Sequence, residues 1–128
     1  MSEGAVTLHL PGADLPRVGD PLITDVVAGG LASIDPALPG ASAQAAASLG
    51  METGAHQLLL ILVDGLGYEL IEEYVGHTPT LRRVRGDVRS IHTVVPSTTA
   101  AAITAFGTGE RPGATNMVGF SVAYGGTV

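Results

Sequence analysis

The amino-acid sequence predicts an α/β fold, in which a mainly parallel sheet is flanked by helices, for a chain of 128 residues. Residues 58–63 form a continuous apolar run that is closed by Asp64-Gly65. Such a run is typical of a central parallel strand that is buried on both faces. A helical pattern follows it, and a second strand candidate at residues 88–95 leads into an alanine-rich helical pattern. This alternation of strand and helix patterns predicts the α/β class.

Residues 1–57 differ from the rest of the chain, and we predict that they form an N-terminal leader that packs on the core. Pro, Gly and Ala are frequent there, and turn signals such as Asp35-Pro36 recur. Ser42 precedes an alanine-rich stretch, which predicts a short helix over residues 43–49 that is capped by the Ser42 hydroxyl and stopped by Gly50. The alternative is a poorly ordered N-terminal extension.

Residues 58–128 are predicted to form the core domain, which begins with the strand at 58–63. An amphipathic helix follows, and its apolar residues are Leu66, Leu70, Ile71 and Tyr74. The second strand, at residues 88–95, ends at Pro96. The next helix is predicted from Thr99 to Phe106, with Gly107 and Gly109 as its stop, and residues 118–124 are predicted to begin a third strand.

Composition and charge exclude several classes of protein. Asp and Glu total 12 and Lys and Arg total 6, so the formal net charge is −6. The basic residues are all arginine and form no uniformly basic stripe, so a nucleic-acid duplex is not expected as a partner. The longest aliphatic run is far shorter than the ~20 residues that a membrane span needs. With no cysteine and no visible secretory signal, we expect a cytoplasmic protein with no membrane partner and leave its oligomeric state open.

Asp64 is the first candidate functional residue, because it lies where a predicted buried strand leaves the sheet. Ligands of open α/β sheets bind at the carboxyl ends of the strands. A carboxylate at such a place is costly unless it is paired or holds a cation. The alternative is structural, since Asp-Gly is a common turn pair.

Ser97, Thr98 and Thr99 form a second candidate site, at the predicted start of the alanine-rich helix. The unpaired N–H groups and the dipole of a helix start favour an anion such as phosphate. A hydroxyl at this place becomes a nucleophile when a metal ion activates it. The alternative is that Ser97 or Thr98 only caps the helix.

The motifs around these two sites resemble a known family. The stretches are ILVDGLG, HTPTLRRV, VVPSTTAAAITAFGTGERPG and a following GF. Their order and spacing resemble the N-terminal catalytic half of the alkaline phosphatase superfamily. The branch they resemble is the nucleotide pyrophosphatase/phosphodiesterase (type I phosphodiesterase) family with its bacterial relatives, and the resemblance covers residues 56–124.

The resemblance implies a metal-dependent hydrolase of phosphate esters that acts on a small phosphorylated substrate such as a nucleotide. It implies two divalent metal ions, Zn²⁺, as cofactors. In that family the strand-end Asp and the Thr at the helix start both ligate zinc, and the Thr is also the nucleophile. Carried over, Asp64 is a metal ligand, and Thr99 is a metal ligand and the catalytic nucleophile. Phosphodiester, nucleotide pyrophosphate and phosphomonoester substrates all stay open.

The family's other zinc ligands lie in its later sequence, so we expect the site to be completed by residues beyond Val128. On this expectation the catalytic domain is truncated here, and the 128 residues alone are inactive. Ala102 stands where eukaryotic-type members carry an Asn that binds a substrate oxygen, and Thr115-Asn116 stand where many members have His-Gly. The rival interpretation is a catalytically silent binding or interaction module derived from the same fold.

Other charged and glycine-rich features are interpreted as structural. The four arginines at positions 82, 83, 85 and 89 are predicted to form a solvated loop with salt bridges to Glu72, Glu73 and Asp87. The four histidines match none of the family's ligand motifs and are predicted to be surface or strand residues. Gly65-Leu66-Gly67 lacks the third glycine of a dinucleotide fingerprint, because Leu70 stands there.

Overall fold

The structure is a computed structural model that describes residues 15–120, and within this range it contains six α-helices. The helices are α1 (Asp25–Ile34), α2 (Ala43–Leu49), α3 (Tyr68–Tyr74), α4 (Pro79–Arg83), α5 (Thr99–Thr108) and α6 (Pro112–Thr115). Two 3₁₀ turns, Val75–His77 and Arg85–Asp87, flank α4. No helix in the described range is both long and apolar enough to cross a membrane.

Between residues 15 and 120, β pairing is limited to one parallel bridge between Leu22 and His92. The Ile23 N–H donates to the His92 carbonyl at 2.8 Å, and the His92 N–H donates to the Pro21 carbonyl at 2.9 Å. The bridge lies inside the predicted second strand and joins it to the segment before α1. It therefore connects the two halves of the chain a few residues before the segment 97–99, which contains the candidate nucleophile.

The predicted central strand, residues 58–63, has no strand partner within the described part of the chain. Its side chains are largely exposed: Leu59 is 82% and Ile61 is 76% accessible to solvent. A central parallel strand requires neighbours at both edges and cover on both faces. The mainly parallel sheet therefore stays a prediction. Of the predicted third strand, residues 118–120 are not paired as a strand, and residues 121–124 lie outside the described residues.

Helix α2 has the start and the stop that the sequence predicts. The Ser42 hydroxyl accepts a hydrogen bond from the Ala45 N–H at 3.2 Å, which satisfies a donor of the first turn. Gly50 ends the helix in the left-handed conformation, with φ of 66°. This conformation costs a residue with a Cβ atom free energy but costs glycine none, so both predictions are confirmed.

Helix α1 was not predicted from the sequence, because its glycine pair and weak polarity pattern carry little helical signal. The glycines have a packing role instead. A Cβ atom on Gly29 would lie 3.0 Å from the backbone nitrogen of Ala46, so α1 and α2 approach each other at backbone contact distance. Gly30 packs against a side chain instead: a Cβ atom on Gly30 would lie 2.6 Å from Cδ2 of Leu58. Residues 15–57 thus contact the core, and the division of the chain at residue 57 stays a prediction.

Helix α5 packs beside the Leu22–His92 bridge. Its Ala101 and Ala105 are buried together with Val94, and Ile23 and Ala102 cover this small cluster. The helix ends at Gly109, which has φ of 72° and donates its N–H to the Ala105 carbonyl at 2.9 Å. Gly107 lies inside the helix, so its predicted role as a stop is wrong. The left-handed residue that ends α5 is Gly109.

Candidate active site

Asp64 and Thr99 line the same cleft, which has a volume of about 780 Å³. The cleft lies between the residues around the Leu22–His92 bridge, the turn before α3 and the first turns of α5. Its walls are mainly apolar and include Ile23, Val26, Leu66, Ile71, Ile103 and Phe106. Asp64 and the Ser97–Thr99 segment, which the sequence presents as two separate candidate sites, therefore both contribute to this cleft.

Asp64 occupies a tight turn between the apolar run and α3. The Leu66 N–H points back to the Val63 carbonyl at 3.4 Å, and Gly65 adopts φ of 72°. A turn with a positive φ at its third residue favours glycine there, so Asp64-Gly65 has the structural role expected of this pair. The Asp64 side chain is solvent-exposed at the lip of the cleft, where a carboxylate can also meet a ligand.

Thr98 and Thr99 have different surroundings although they are adjacent. Thr98 is the N-cap of α5: its hydroxyl accepts from the Ala101 N–H at 3.3 Å and donates to the Val118 carbonyl at 3.0 Å. Thr99 is the first residue of the helix and lines the cleft. The capping role thus belongs to Thr98, and Thr99 is the threonine that faces the cleft.

The start of α5 also supplies the features of an anion site. The first N–H groups of a helix have no partner within the helix, and the helix dipole places partial positive charge there. The Thr99 and Ala100 N–H groups are in this position, since the Thr98 hydroxyl accepts from Ala101 and the Thr98 carbonyl accepts from Ala102. Ser97 is exposed and also lines the cleft.

His92 is a cleft residue that sequence reasoning did not select as functional. It lies in the bridge to Leu22, and its Nε2 is 3.4 Å from Oδ2 of Asp20. The same Asp20 oxygen accepts from the Arg17 N–H at 2.7 Å, which orients the carboxylate. His92 was predicted to be a surface or strand residue, and its place in the bridge agrees with that. No local signal could identify Asp20 as its partner, because the two lie far apart in the sequence.

The arginines of residues 82–89 divide into two environments. Arg85 pairs with Glu72, as predicted, and its Nε donates to Oε1 of Glu72 at 3.3 Å. The hydrogen bond and the charge of Glu72 raise the pKa of the Arg85 guanidinium. Arg89 lines the cleft instead. All four arginines are solvent-exposed, as predicted, but within residues 15–120 only Arg85 has a carboxylate partner. The predicted salt bridges to Glu73 and Asp87 are not found there.

The described residues contain no group of three or more His, Asp or Glu side chains that could together hold a metal ion. Asp64 and Thr99 are oxygen donors on one cleft, and carboxylate oxygen is a normal zinc ligand. Their side chains are of a chemical type that can ligate a divalent ion, and both line the cleft. His56 and His77 are solvent-exposed, and His9 lies outside the described residues.

Comparison with known proteins adds one finding. A family model described as type I phosphodiesterase / nucleotide pyrophosphatase matches residues 58–126. No curated protein and no solved structure matches the chain significantly. The matched segment spans more than half of the chain and includes Asp64, Thr99 and most of the cleft lining. The motifs and the family match agree, and this chain belongs to the type I phosphodiesterase/nucleotide pyrophosphatase family.

Proposed function

We propose that the chain carries part of the catalytic centre of a metal-dependent hydrolase of phosphate esters, with Thr99 as the nucleophile. The observation that carries this proposal is the position of Asp64 and Thr99 on one cleft, within the segment that matches the family. The substrate is a small phosphorylated molecule such as a nucleotide. Its scissile bond is a phosphodiester, a pyrophosphate or a phosphomonoester.

The surroundings of Thr99 support its assignment over its neighbours. The Thr98 hydroxyl is engaged in two hydrogen bonds, and removing either would leave a backbone group without its partner. Thr99 lies at the helix start, where unpaired N–H groups can bind the oxygens of a phosphate.

Asp64 and Thr99 would hold a divalent ion, Zn²⁺, with further ligands and a second ion supplied by residues outside the described range. When bound, such ions stabilise the charges on the attacking and leaving oxygens of a displacement at phosphorus. The exposed position of Asp64 at the cleft lip leaves its carboxylate available for this coordination. A cytoplasmic location, which a nucleotide substrate would suit, is also part of the proposal.

The test is the turnover of a nitrophenyl phosphodiester by the full-length protein with zinc present. Thr99→Ala should lower kcat by on the order of a thousandfold, because it removes the nucleophile. Thr98→Ala is the matched control, since it deletes the same hydroxyl one residue away. It should retain most of the turnover, measured below its unfolding temperature.

Equal losses in the two variants would place the nucleophile at another position. Thr99→Ser should keep part of the activity, because it preserves a hydroxyl at the same place. A wild-type protein that binds nitrophenyl phosphodiesters without hydrolysing them would instead favour the catalytically silent binding module. Circular dichroism of each variant establishes that a lost activity does not reflect a lost fold.

A further inference from the structure

Ile23 joins the leader to both elements that place the candidate nucleophile. Its N–H donates to the His92 carbonyl at 2.8 Å, which fixes it beside the segment that leads into α5. Its side chain packs on the buried cluster of Val94, Ala101 and Ala105. Two members of this cluster belong to α5, and the third lies between the bridge and the start of that helix. One residue of the leader therefore contacts the chain on either side of the candidate nucleophile.

The backbone around Ile23 is held in place by hydrogen bonds. The Leu22 N–H donates to Oδ2 of Asp25 at 2.9 Å, and the Asp25 N–H donates back to the Leu22 carbonyl at 3.0 Å. A hydrogen bond to a carboxylate is stronger than one between neutral groups, so this reciprocal pair firmly closes the turn at the start of α1. Leu22 is also buried, which anchors the turn in the core. The position of Ile23 is therefore set by this turn and by the bridge to His92.

Helix α5 has little side-chain volume with which to fix its own position. Its buried residues are Ala101 and Ala105, and each offers a single methyl group for packing. Ile23 is the largest of the apolar side chains in and around their cluster. Packing is the sum of many small atom–atom contacts, so the larger partner supplies most of those that hold the helix. A shift of α5 would carry Thr99 with it, because Thr99 is the first residue of that helix.

We propose that Ile23 is a positioning residue for the nucleophile. It packs on α5 while its backbone is bonded to His92, and it thereby holds the start of the helix, with Thr99, at a fixed place along the cleft. Ile23 lies before residue 58, where the family match begins, so the leader contributes to the candidate active site from outside the matched segment. The proposal rests on the proposed function in taking Thr99 as the nucleophile, and the positioning of α5 is measured separately from turnover.

The first experiment compares two variants of the full-length protein that each remove three carbon atoms from a leader side chain. With zinc present, Ile23→Ala should lower kcat for a nitrophenyl phosphodiester by on the order of ten- to a hundredfold, the effect of a small misplacement of the reacting atoms. KM should change little. Leu49→Ala is the control, because Leu49 is buried in α2 and is not among the described residues that line the cleft. It should also destabilise the protein but leave kcat unchanged below its unfolding temperature.

A conservative variant tests the same role with less disturbance of the fold. Ile23→Val removes a single carbon atom, so it should retain most of the kcat that Ile23→Ala loses. A loss confined to KM in Ile23→Ala would mean that the side chain binds the substrate, and it would overturn the positioning role. Equal kcat values for Ile23→Ala and Leu49→Ala would overturn that role as well.

Amide hydrogen exchange measures the positioning of α5 without turnover. The Ala102 N–H donates to the Thr98 carbonyl at 2.9 Å, so its exchange rate reports opening of the first turn of α5. Ile23→Ala should speed this exchange on the order of tenfold more than Leu49→Ala does, because only Ile23 packs on the helix. Equal exchange in the two variants would overturn the role of Ile23. The expected difference, found in a protein whose wild type shows no hydrolysis, would support that role and contradict the proposed function alone.

Discussion

Thr98 illustrates how strongly the role of a single residue depends on its hydrogen bonds. Its hydroxyl connects two parts of the molecule, because it caps α5 through Ala101 and reaches the Val118 carbonyl. Thr99 has the same side chain but lies one position later, at the cleft. Thr98 has the extended backbone of an N-cap, which lets its hydroxyl reach the first turn, whereas Thr99 is the first helical residue and its side chain lines the cleft.

We predict that Thr98→Ala lowers the free energy of unfolding by about 1 kcal/mol, the usual cost of a lost N-cap. Thr98→Ser should cost much less, because a serine hydroxyl can make the same two hydrogen bonds. Urea denaturation followed by circular dichroism measures both values. If Thr99→Ala were the more destabilising variant, the assignment of the cap to Thr98 would be wrong.

For Asp64 we predict that Asp64→Asn lowers the zinc content of the full-length protein and leaves its stability unchanged. Asparagine is also favoured in turns, so the turn with Gly65 should be preserved. The loss of the negative charge, however, weakens a metal ligand. Metal analysis after dialysis gives the zinc content, and Asp87→Asn, in a 3₁₀ turn, is the control. Unchanged zinc in Asp64→Asn would favour a purely structural role.

At the scale of secondary-structure elements, the small residues of α1 and α2 decide how the leader packs. Gly29 lies against the backbone of Ala45 and Ala46, and backbone atoms cannot move aside as a flexible side chain can. The contact is reinforced by a hydrogen bond from the Ser42 N–H to the Ala28 carbonyl at 2.9 Å. The pair of helices is therefore held by close approach and not by large apolar side chains.

This packing predicts that a Gly-to-Ala substitution lowers the stability of the protein at one position and raises it at another. Gly29→Ala should destabilise the protein by about 1–3 kcal/mol, because the added methyl group meets the α2 backbone. Gly107→Ala should stabilise it by up to about 1 kcal/mol, since Gly107 lies within α5 and a Cβ atom there meets nothing within 4 Å. Thermal unfolding of both variants measures the difference. A stabilising Gly29→Ala would show that α1 and α2 are not in backbone contact.

The helices that the sequence predicts correctly have either local start and stop signals or, as in α3, apolar residues at helical spacing. Helix α2 has Ser42 and Gly50, and α5 has Thr98 and Gly109, and each signal acts over three or four residues. Helix α1 has none of these: its N-cap residue, Thr24, makes no side-chain capping hydrogen bond. Its glycines allow the close contact with α2. This contact joins residues that are distant in the sequence, so a local pattern does not predict it.

For the whole molecule, the exposed apolar run at residues 58–63 is the dominant surface feature. Leu59 and Ile61 are among its most accessible side chains, at 82% and 76%. A contiguous apolar surface of this kind favours association. The cleft, the leader and this run meet at one region, since Leu58 packs on Gly30 while Ile61, Leu62 and Val63 line the cleft.

We predict that the purified 128-residue chain increases in apparent size with concentration, as measured by light scattering. Combining Leu59→Ser with Ile61→Ser should reduce the association, because both exposed apolar side chains are replaced by polar ones. Val18→Ser, which alters an isolated and fully exposed valine, should not. A size that is independent of concentration would contradict the prediction.

The sequence by itself determined the family, the caps of α2, and the two candidate residues, Asp64 and Thr99, on which the proposed chemistry depends; for α5 it left the N-cap open between Ser97 and Thr98. These features are local, because a cap, a turn or a motif is defined by residues within a few positions of each other. Only the tertiary structure decided that these two residues line one cleft and that Gly29 lies against the backbone of α2. Such contacts join residues far apart in the chain and depend on packed shapes, which local patterns do not encode.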